Sequence, residues 1–245
     1  MSNATPIPGT IRPDEAAHFG RLADDWWDPA GSSAMLHRLN PVRLGFIRRA
    51  IGSHFSAEPR AMRPLAGRRA VDIGCGAGLL TEPLARMGAD VTGVDAAEDN
   101  IRVAAAHATA GGLAIAYRYG DVADMGLTGF DLVTCMEVIE HVADKPAFVA
   151  ALADALADDG LMVLSTPNRT VASRVLLVEA AERIGMVPRG THHWADFITP
   201  VELHDLLSGA GLTMGHPQGI AWRVNAGLHL SDNLALNYIV TVTRT

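Results

Sequence analysis

The sequence contains little of several features that define whole classes of protein. Its 245 residues include two cysteines, Cys75 and Cys135, which is too few for a disulfide framework, so a reducing compartment such as the cytoplasm is expected. No stretch reaches the ~20 apolar residues that span a membrane. Lysine and arginine number 20 against 27 acidic residues, and the net charge of -7 argues against a nucleic-acid partner, because phosphate binding needs a basic face.

The sequence does contain enough apolar material for a full core. Hydrophobic residues make up 49% of the chain, which fits one large domain. The first residues are small and polar with several prolines, so we predict a disordered tail at 1–13 and a single domain at 14–245. Within that domain we expect a helical lid at 14–57 and an insertion at 167–198, which is longer than a plain crossover between strands requires.

Strand and helix patterns alternate from Arg69 onward. The predicted strands lie near 69–73, 90–95, 114–118, 130–135, 160–166, 212–217 and 236–243. The predicted helices lie near 14–27, 41–55, 78–88, 98–110, 144–157 and 199–210. Thr199 and Glu202 give the last helix a capping box. The pattern predicts an α/β fold: a doubly wound, mostly parallel, seven-stranded Rossmann-like sheet with an N-terminal helical extension.

A glycine turn follows the first predicted strand. Gly74, Gly76 and Gly78 occupy alternate positions after Asp72, and Asp95 ends the next strand. Such a turn brings backbone close to a ligand, and an acid at the place of Asp95 accepts hydrogen bonds from ribose hydroxyls. The spacing differs from the dinucleotide pattern, and Asp72 would repel a pyrophosphate but suits a cationic amino-acid end. This combination resembles the class I S-adenosylmethionine-dependent methyltransferases.

Further polar residues follow the next strands, and in open α/β sheets ligands lie at these carboxyl ends. Asp121 is expected either to face an adenine amino group or to cap a helix, and the two readings are equally good. Glu137, Glu140 and His141 are spaced to point the same way on a helical turn. They could bind magnesium or manganese, or they could form an ordinary acidic first turn of a helix with a packed histidine.

A more specific resemblance rests on several segments together. They are Trp26–Asp28, His37–Ile47, Asp72–Gly78, Thr134–Val142, Ser165–Arg169 and Met186–His192. With them the chain resembles the ubiquinone-biosynthesis O-methyltransferases over about residues 19–238. The resemblance implies S-adenosylmethionine-dependent methylation of polyprenylated catechols, namely 2-polyprenyl-6-hydroxyphenol and 3-demethylubiquinol. The sequence departs from the family pattern at Ala77 and Pro167, and neither departure affects a functional group.

The resemblance also implies site residues. The positions that match the family's cofactor contacts are Arg43, Gly74, Asp95 and Met136. Relatives that depend on a divalent cation have ligands that match Glu137, Glu140 and His141. A phenol with a pKa near ~10 must be ionised before methyl transfer. The expected agents are a metal on those three residues or a histidine base, namely His141, His192 or His193.

The insertion contains an amphipathic pattern within residues 167–189. Leu176, Leu177, Ala180, Ala181, Ile184 and Val187 fall on one side of a helix. That side could pack on the core, as is usual, or it could lie on a bilayer that holds the prenylated substrate. We therefore expect peripheral contact with the inner membrane and, as a further partner, a ubiquinone-biosynthesis complex.

Two alternatives to the ubiquinone-pathway function stay open. They are a methyltransferase for another phenolic or quinone acceptor and a non-catalytic cofactor-binding module.

Overall fold

The computed structural model describes residues 9–31, 33–58, 60–176, 193–225 and 227–245. Nine strands in these residues form one sheet: β1 Arg69–Ile73, β2 Asp90–Asp95, β3 Ile115–Tyr119, β4 Phe130–Met136, β5 Leu156–Pro167, β6 Leu212–Met214, β7 Gln218–Arg223, β8 Gly227–Ser231 and β9 Asn237–Arg244. The helices there are α1 Pro13–Gly20, α2 Ala34–His54, α3 Thr81–Arg86, α4 Glu98–Ala110, α5 Lys145–Ala155, α6 Val171–Ser173 and α7 Pro200–Gly209.

The sheet has a parallel half and an antiparallel half. Its order is β3-β2-β1-β4-β5-β9-β7-β8, with β6 also paired to β9. Strands β1 to β5 pair in parallel, and β9 is antiparallel to β5. The order reverses beside β1, since β2 lies on one side of it and β4 on the other. Ligands bind at such a reversal, outside the carboxyl ends of the strands.

Alternating side chains of the central strands enter two cores on opposite faces of the sheet. Val71 of β1 packs with Phe148 and Leu152 of α5 on one face. Ala70, its neighbour in sequence, packs with Ile47 of α2 on the other face. Because successive residues of a strand point to opposite faces, one apolar run supplies both cores. Helices therefore cover both faces, as the predicted doubly wound fold requires.

The observed sheet is mixed and has nine strands, whereas we predicted a mostly parallel sheet of seven. The prediction missed the hairpin of β7 and β8, and it extended β6 beyond Met214. Positive φ angles of 72° at Asn225 and 66° at Gly227 turn the chain between the two hairpin strands. Asparagine and glycine are the residues that adopt this conformation, so the turn signal was present in the sequence.

Several helices have the predicted limits and others do not. Helix α4 matches its prediction, and Thr199 and Glu202 form the predicted capping box at α7. The helix expected at 41–55 instead begins at Ala34, with Pro41 inside it. A proline normally marks the first turn of a helix because it has no N–H to donate. Here the helix starts seven residues before the proline, and the apolar residues of that first part, including Leu39, line a cavity.

The described part of the predicted tail is held on the domain. The expectation of a disordered tail at 1–13 does not hold for residues 9–13, because Thr10 is 3% exposed and Pro13 begins α1. The backbone carbonyl of Thr10 accepts a hydrogen bond from Ala143 N at 2.8 Å. Among the described residues, no helix combines the length and apolar character needed to cross a membrane.

Candidate active site

The glycine turn joins β1 to α3 and is held by the end of β2. Gly74 N donates to Val94 O at 2.8 Å, and Gly76 N donates to Asp95 Oδ2 at 2.8 Å. A methyl group on Gly74 would lie 2.2 Å from Val138 Cγ2, and one on Gly76 would lie 2.3 Å from Trp26 Cζ3. Both glycines also have positive φ. Protein packing therefore leaves no room for a side chain at Gly74 or Gly76, even without a ligand.

Two acids lie beside this turn. Asp72 is buried and accepts hydrogen bonds at 2.7 Å from the hydroxyls of both Thr81 and Thr134. Burial raises the pKa of Asp72 to about 6. Asp95 Oδ1 accepts hydrogen bonds from Ala97 N at 2.9 Å and from Asn100 Nδ2 at 3.0 Å. Each carboxylate oxygen has two lone pairs, so both acids can still accept a ligand donor.

Asp121 is the acid for which the sequence allowed two roles. Its Oδ2 accepts a hydrogen bond from Thr10 N at 2.6 Å and another from Ile11 N at 3.3 Å. Its Oδ1 accepts one from Thr10 Oγ1 and one from Ala123 N at 3.0 Å, the latter capping a helical turn at Val122–Asp124. The structure thus has Asp121 as a cap and as an anchor for the N-terminal segment.

Arg43 projects from α2 into the same region and is 2% exposed. Its Nη2 lies 2.8 Å from Glu137 Oε1, which also accepts a hydrogen bond from Ser165 Oγ at 2.8 Å. Arg43 Nε is buried and has no hydrogen-bond partner among the described residues. Leaving a guanidinium N–H unsatisfied is costly, so this group is suited to an anionic ligand. Met136, which ends β4, lines the cavity beside them.

His141 ends a single helical turn, Ile139–His141, and contacts the N-terminal segment. Its Nδ1 lies 3.1 Å from Glu15 Oε2, and its ring packs edge-on against Phe19. Burial would lower the pKa of His141, but the hydrogen bond with Glu15 and the charges of Glu140 and Glu15 outweigh burial and raise it. Burial raises the pKa of Glu140, whose Oε2 accepts a hydrogen bond from Thr166 Oγ1 at 3.0 Å.

These contacts do not fit the predicted site for a divalent cation. Glu137 is directed to Arg43, whereas His141 is directed to Glu15. Glu140 Oε1 lies 3.8 Å from His141 Nε2. In the described ranges no group of three or more histidine, cysteine, aspartate or glutamate side chains is arranged to hold a metal ion. The three predicted ligands are thus near one another in sequence, but Glu137 pairs with Arg43, His141 pairs with Glu15, and Glu140 Oε2 accepts a hydrogen bond from Thr166.

A cavity of about 310 Å³ lies between two walls. The strand-end wall, residues 72–80, 94–96, 120–122 and 136–142, follows β1 to β4. The N-terminal wall, residues 10–31 and 33–43, covers it from the other side. Thr10, Glu15, Phe19 and Trp26 line the cavity from this second wall, together with Arg43. The predicted helical lid at 14–57 overlaps this wall in sequence.

Some predicted residues cannot be compared in this way. His192 and most of the amphipathic pattern, 177–189, lie outside the described residues. His193 is exposed and precedes a helical turn at Trp194–Asp196. Conversely, Thr10, Glu15 and the ring of Trp26 contact the site although the sequence did not indicate them as site residues. Two adjacent tryptophans in a chain with four were the available signal.

The site fits an S-adenosylmethionine molecule on structural grounds. Among the described residues, the buried donors Arg43 Nε and Trp26 Nε1 have no hydrogen-bond partner, and both side chains belong to residues that line the cavity. The walls also carry acids for an ammonium group and for ribose hydroxyls, namely Asp72 and Asp95. The fold and this set of groups define a class I S-adenosylmethionine-dependent methyltransferase.

Comparisons with known proteins agree with this class. A methyltransferase-domain family model matches residues 43–216. The fold resembles that of magnesium protoporphyrin IX methyltransferase from Synechocystis, solved with bound SAH, with a TM-score of 0.61 and 23% identity over 94% of this chain and 96% of that one.

Two curated relatives narrow the assignment. One, from Azorhizobium caulinodans, is 47% identical over 216 residues, 87% of this chain and 85% of the relative. The other, from Methylobacterium nodulans, is 44% identical over 239 residues, 96% of each chain. Both are ubiquinone biosynthesis O-methyltransferases. The chain belongs to the ubiquinone biosynthesis O-methyltransferase family and is an S-adenosylmethionine-dependent O-methyltransferase.

Proposed function

We propose that this enzyme methylates the catechol-type hydroxyls of polyprenylated ubiquinone precursors, 2-polyprenyl-6-hydroxyphenol and 3-demethylubiquinol. The observation that carries the proposal is the cavity, which is lined by apolar side chains such as Phe19, Leu39 and Val138 together with His141. Apolar walls with a few polar groups suit an aromatic ring with a hydrocarbon tail. Family membership supports the same class of acceptor.

Residues of the strand-end wall and Arg43 of the N-terminal wall divide the binding of the cofactor among them. S-adenosylmethionine supplies an electrophilic methyl group on a sulfonium centre. In the proposed arrangement Asp95 and the turn at Gly74–Gly78 hold the nucleoside, Asp72 faces the ammonium group and Arg43 faces the carboxylate. Glu137 orients the guanidinium of Arg43. Holding both reactants in a near-attack geometry supplies much of the rate, because it replaces a bimolecular encounter.

His141 is proposed as the base that accepts the proton of the phenol. It lines the cavity, and Glu15 lies on its Nδ1 side, where a carboxylate orients the ring and stabilises the imidazolium that forms. Replacement of His141 by Gln should lower kcat by about 10² to 10⁴ while the affinity for SAH stays unchanged. Undiminished kcat in this variant would transfer the role of base to another group, with His192 and His193 the remaining predictions.

The substrate class is tested by product analysis. The purified enzyme is given S-adenosylmethionine and, in parallel, a prenylated catechol, a demethylated ubiquinol and a quinone-ring acceptor without a free hydroxyl. Mass spectrometry should show one added methyl group on each of the first two compounds and none on the third. Methylation of the third compound alone would indicate a carbon methyltransferase, and methylation of unprenylated phenols alone would indicate a different small-molecule acceptor.

We also propose that the enzyme reaches its substrate by docking on the cytoplasmic side of the inner membrane through residues 167–189. In the described part of this insertion, Val171 is 77% exposed, Leu176 is 51% exposed and Val175 is 46% exposed. Exposed apolar side chains beside the cavity suit a bilayer surface. Of the arginines there, Arg169 is paired with Glu202, which reduces its attraction for anionic lipid.

The hairpin tip extends the same apolar edge. Strands β5 and β7 are both antiparallel to β9, so they run in the same direction and end at the same edge of the sheet. Val224, which follows β7, is 64% exposed.

Co-sedimentation with anionic liposomes should fall when Val175 and Leu176 become Glu. It should not change for Met62→Glu, an 87% exposed control that precedes the amino end of β1. Wild-type protein that stays in the supernatant with all lipids would contradict docking.

A further inference from the structure

The indole N–H of Trp26 has no hydrogen-bond partner in the part of the chain that the structure describes. The Nε1 atom is buried, and Trp26 lines the cavity. Its ring lies directly over the glycine turn, since a methyl group on Gly76 would come within 2.4 Å of Trp26 Cη2. A buried donor without an acceptor costs about 1 to 3 kcal/mol. A ligand oxygen in the cavity would remove this penalty.

The next residue, Trp27, is fixed by contacts on two elements. Its ring stacks on the imidazole of His107 in α4, with 3.4 Å between ring centroids and 6° between planes. Its Nε1 donates a hydrogen bond to Ala77 O, within the glycine turn, at 3.0 Å. Trp27 therefore links the N-terminal wall to both α4 and the turn. Stacking and the hydrogen bond together fix the orientation of this indole.

The imidazole beneath Trp27 is in turn held by a buried acid. His107 Nδ1 lies 2.5 Å from Glu82 Oε1, and Glu82 Oε2 accepts a hydrogen bond from Arg86 Nη2 at 2.8 Å. Glu82 is fully buried in α3, and its backbone N donates to Gly78 O at the end of the turn. A carboxylate on one ring nitrogen fixes the orientation of a histidine. Glu82, His107 and Trp27, here called the latch, all lie outside the cavity.

Helix α2 holds the backbone of Trp26. His37 Nε2 donates a hydrogen bond to the backbone carbonyl of Trp26 at 2.8 Å. The latch and His37 thus hold the residue after Trp26 and the backbone carbonyl of Trp26 itself, directly above the turn. Simple packing of an apolar ring would not require so many polar contacts around it.

We propose that Trp26 is a ligand-binding residue whose Nε1–H donates a hydrogen bond to an acceptor oxygen of bound S-adenosylmethionine, and that Glu82, His107 and Trp27 position it. The proposal rests on the placement of the cofactor at the glycine turn given above. Trp26 is the only one of the four that touches the ligand. The latch residues act through it, so they are positioning residues.

The test compares SAH affinity by calorimetry with KM for S-adenosylmethionine and kcat. Trp26→Phe keeps an aromatic ring and removes the donor, and we expect binding to weaken about fivefold. Trp27→Ala should weaken binding about tenfold and raise KM with kcat nearly unchanged, because only binding is affected. Trp27→Phe, which keeps the stacking ring, should recover part of this loss. His204→Ala, a histidine on α7 whose side chain is 56% exposed, is the control for His107→Ala.

A double-mutant cycle separates the proposal from a purely structural role. In a Trp26→Ala background, Trp27→Ala should add less than twofold to the loss of affinity, because the latch acts through Trp26. Additive losses, or a lower melting temperature with unchanged KM, would overturn the latch. Unchanged affinity in Trp26→Phe would overturn the ligand contact. Asp95→Ala in the same assay tests the placement of the cofactor at the glycine turn. Unchanged SAH affinity in this variant would show that the cofactor lies elsewhere, whatever the tryptophan variants do.

Discussion

The two walls of the cavity differ in how their residues come together. In the strand-end wall, each functional residue follows a strand of the parallel sheet, so the sheet alone brings Asp72, Asp95 and Glu137 to one edge. In the N-terminal wall, contacts join residues far apart in sequence: Thr10 bonds Asp121 across 111 positions, and Arg12 bonds Asp196 across 184. The first wall is set by the fold, and the second is set by individual polar contacts.

This difference implies that single substitutions should act differently on the two walls. A strand-end residue is held by the ladder and by the core behind it, so its replacement removes a ligand contact and leaves its neighbours in place. A residue of the N-terminal wall is held by one or two hydrogen bonds, so its replacement releases part of the wall. The following experiments test that contrast, beginning with the pair that joins the walls.

Arg43→Met should have the largest effect, because Arg43 of the N-terminal wall pairs with Glu137 of the strand-end wall. Removing one partner of a buried ion pair destabilises by about 3 to 5 kcal/mol. Since Glu137 is 19% exposed, we expect the lower end of that range in urea denaturation and a loss of kcat/KM of at least about a hundredfold. Arg43→Lys should recover part of the stability. A variant with wild-type stability would show that the walls are not coupled here.

Asp95→Ala should have the next largest effect and should be confined to ligand binding. It removes a charge-assisted hydrogen bond of about 1.5 to 3 kcal/mol, so calorimetry should show SAH binding weakened roughly ten- to a hundredfold. Because Asp95 also holds Gly76 N, Asn is the sharper second substitution, since it retains one acceptor oxygen. Unchanged affinity in both variants would show that the ribose does not bind at Asp95.

The sequence could predict the strand-end wall because its signals are local. The limits of α4, the capping box of Thr199 and Glu202 and the placement of Asp72 and Asp95 depend on neighbours in the chain or on the order of parallel strands. The N-terminal wall depends on pairs such as Glu15 with His141, which no local pattern specifies. For the same reason the spacing of Glu137, Glu140 and His141 allowed both a metal site and an ordinary helical turn, whereas the observed partners of these residues come from other segments.

The affinity for the cationic amino-acid end should depend on pH through Asp72 of the strand-end wall. Burial raises the pKa of this acid to about 6, so it is protonated below that pH and cannot attract an ammonium group. SAH affinity should rise with pH, by up to about tenfold per unit, and level off above about pH 6. Asp72→Asn should flatten the profile. For the protein without ligand, the pH dependence of stability has the opposite sign. The folded state holds the proton of Asp72 more tightly than the unfolded state does. The contribution of Asp72 to the free energy of unfolding therefore falls as pH rises from 3.8 to about 6.

The smallest expected effect tests whether Asp121 only anchors the N-terminal wall or also contacts the ligand. Thr10→Val removes one hydrogen bond to the carboxylate of Asp121, worth about 1 kcal/mol, so SAH should bind about fivefold more weakly if the wall covers the cofactor. Asp121→Ala removes every contact of that carboxylate. If Asp121 acts only as an anchor, the double variant should bind SAH no more weakly than Asp121→Ala alone, because both substitutions release the same segment. If Asp121 also bonds the adenine amino group, Asp121→Ala should cost at least tenfold more than Thr10→Val. A difference of less than twofold between the two single variants would exclude the adenine contact and leave Asp121 as an anchor for the N-terminal wall.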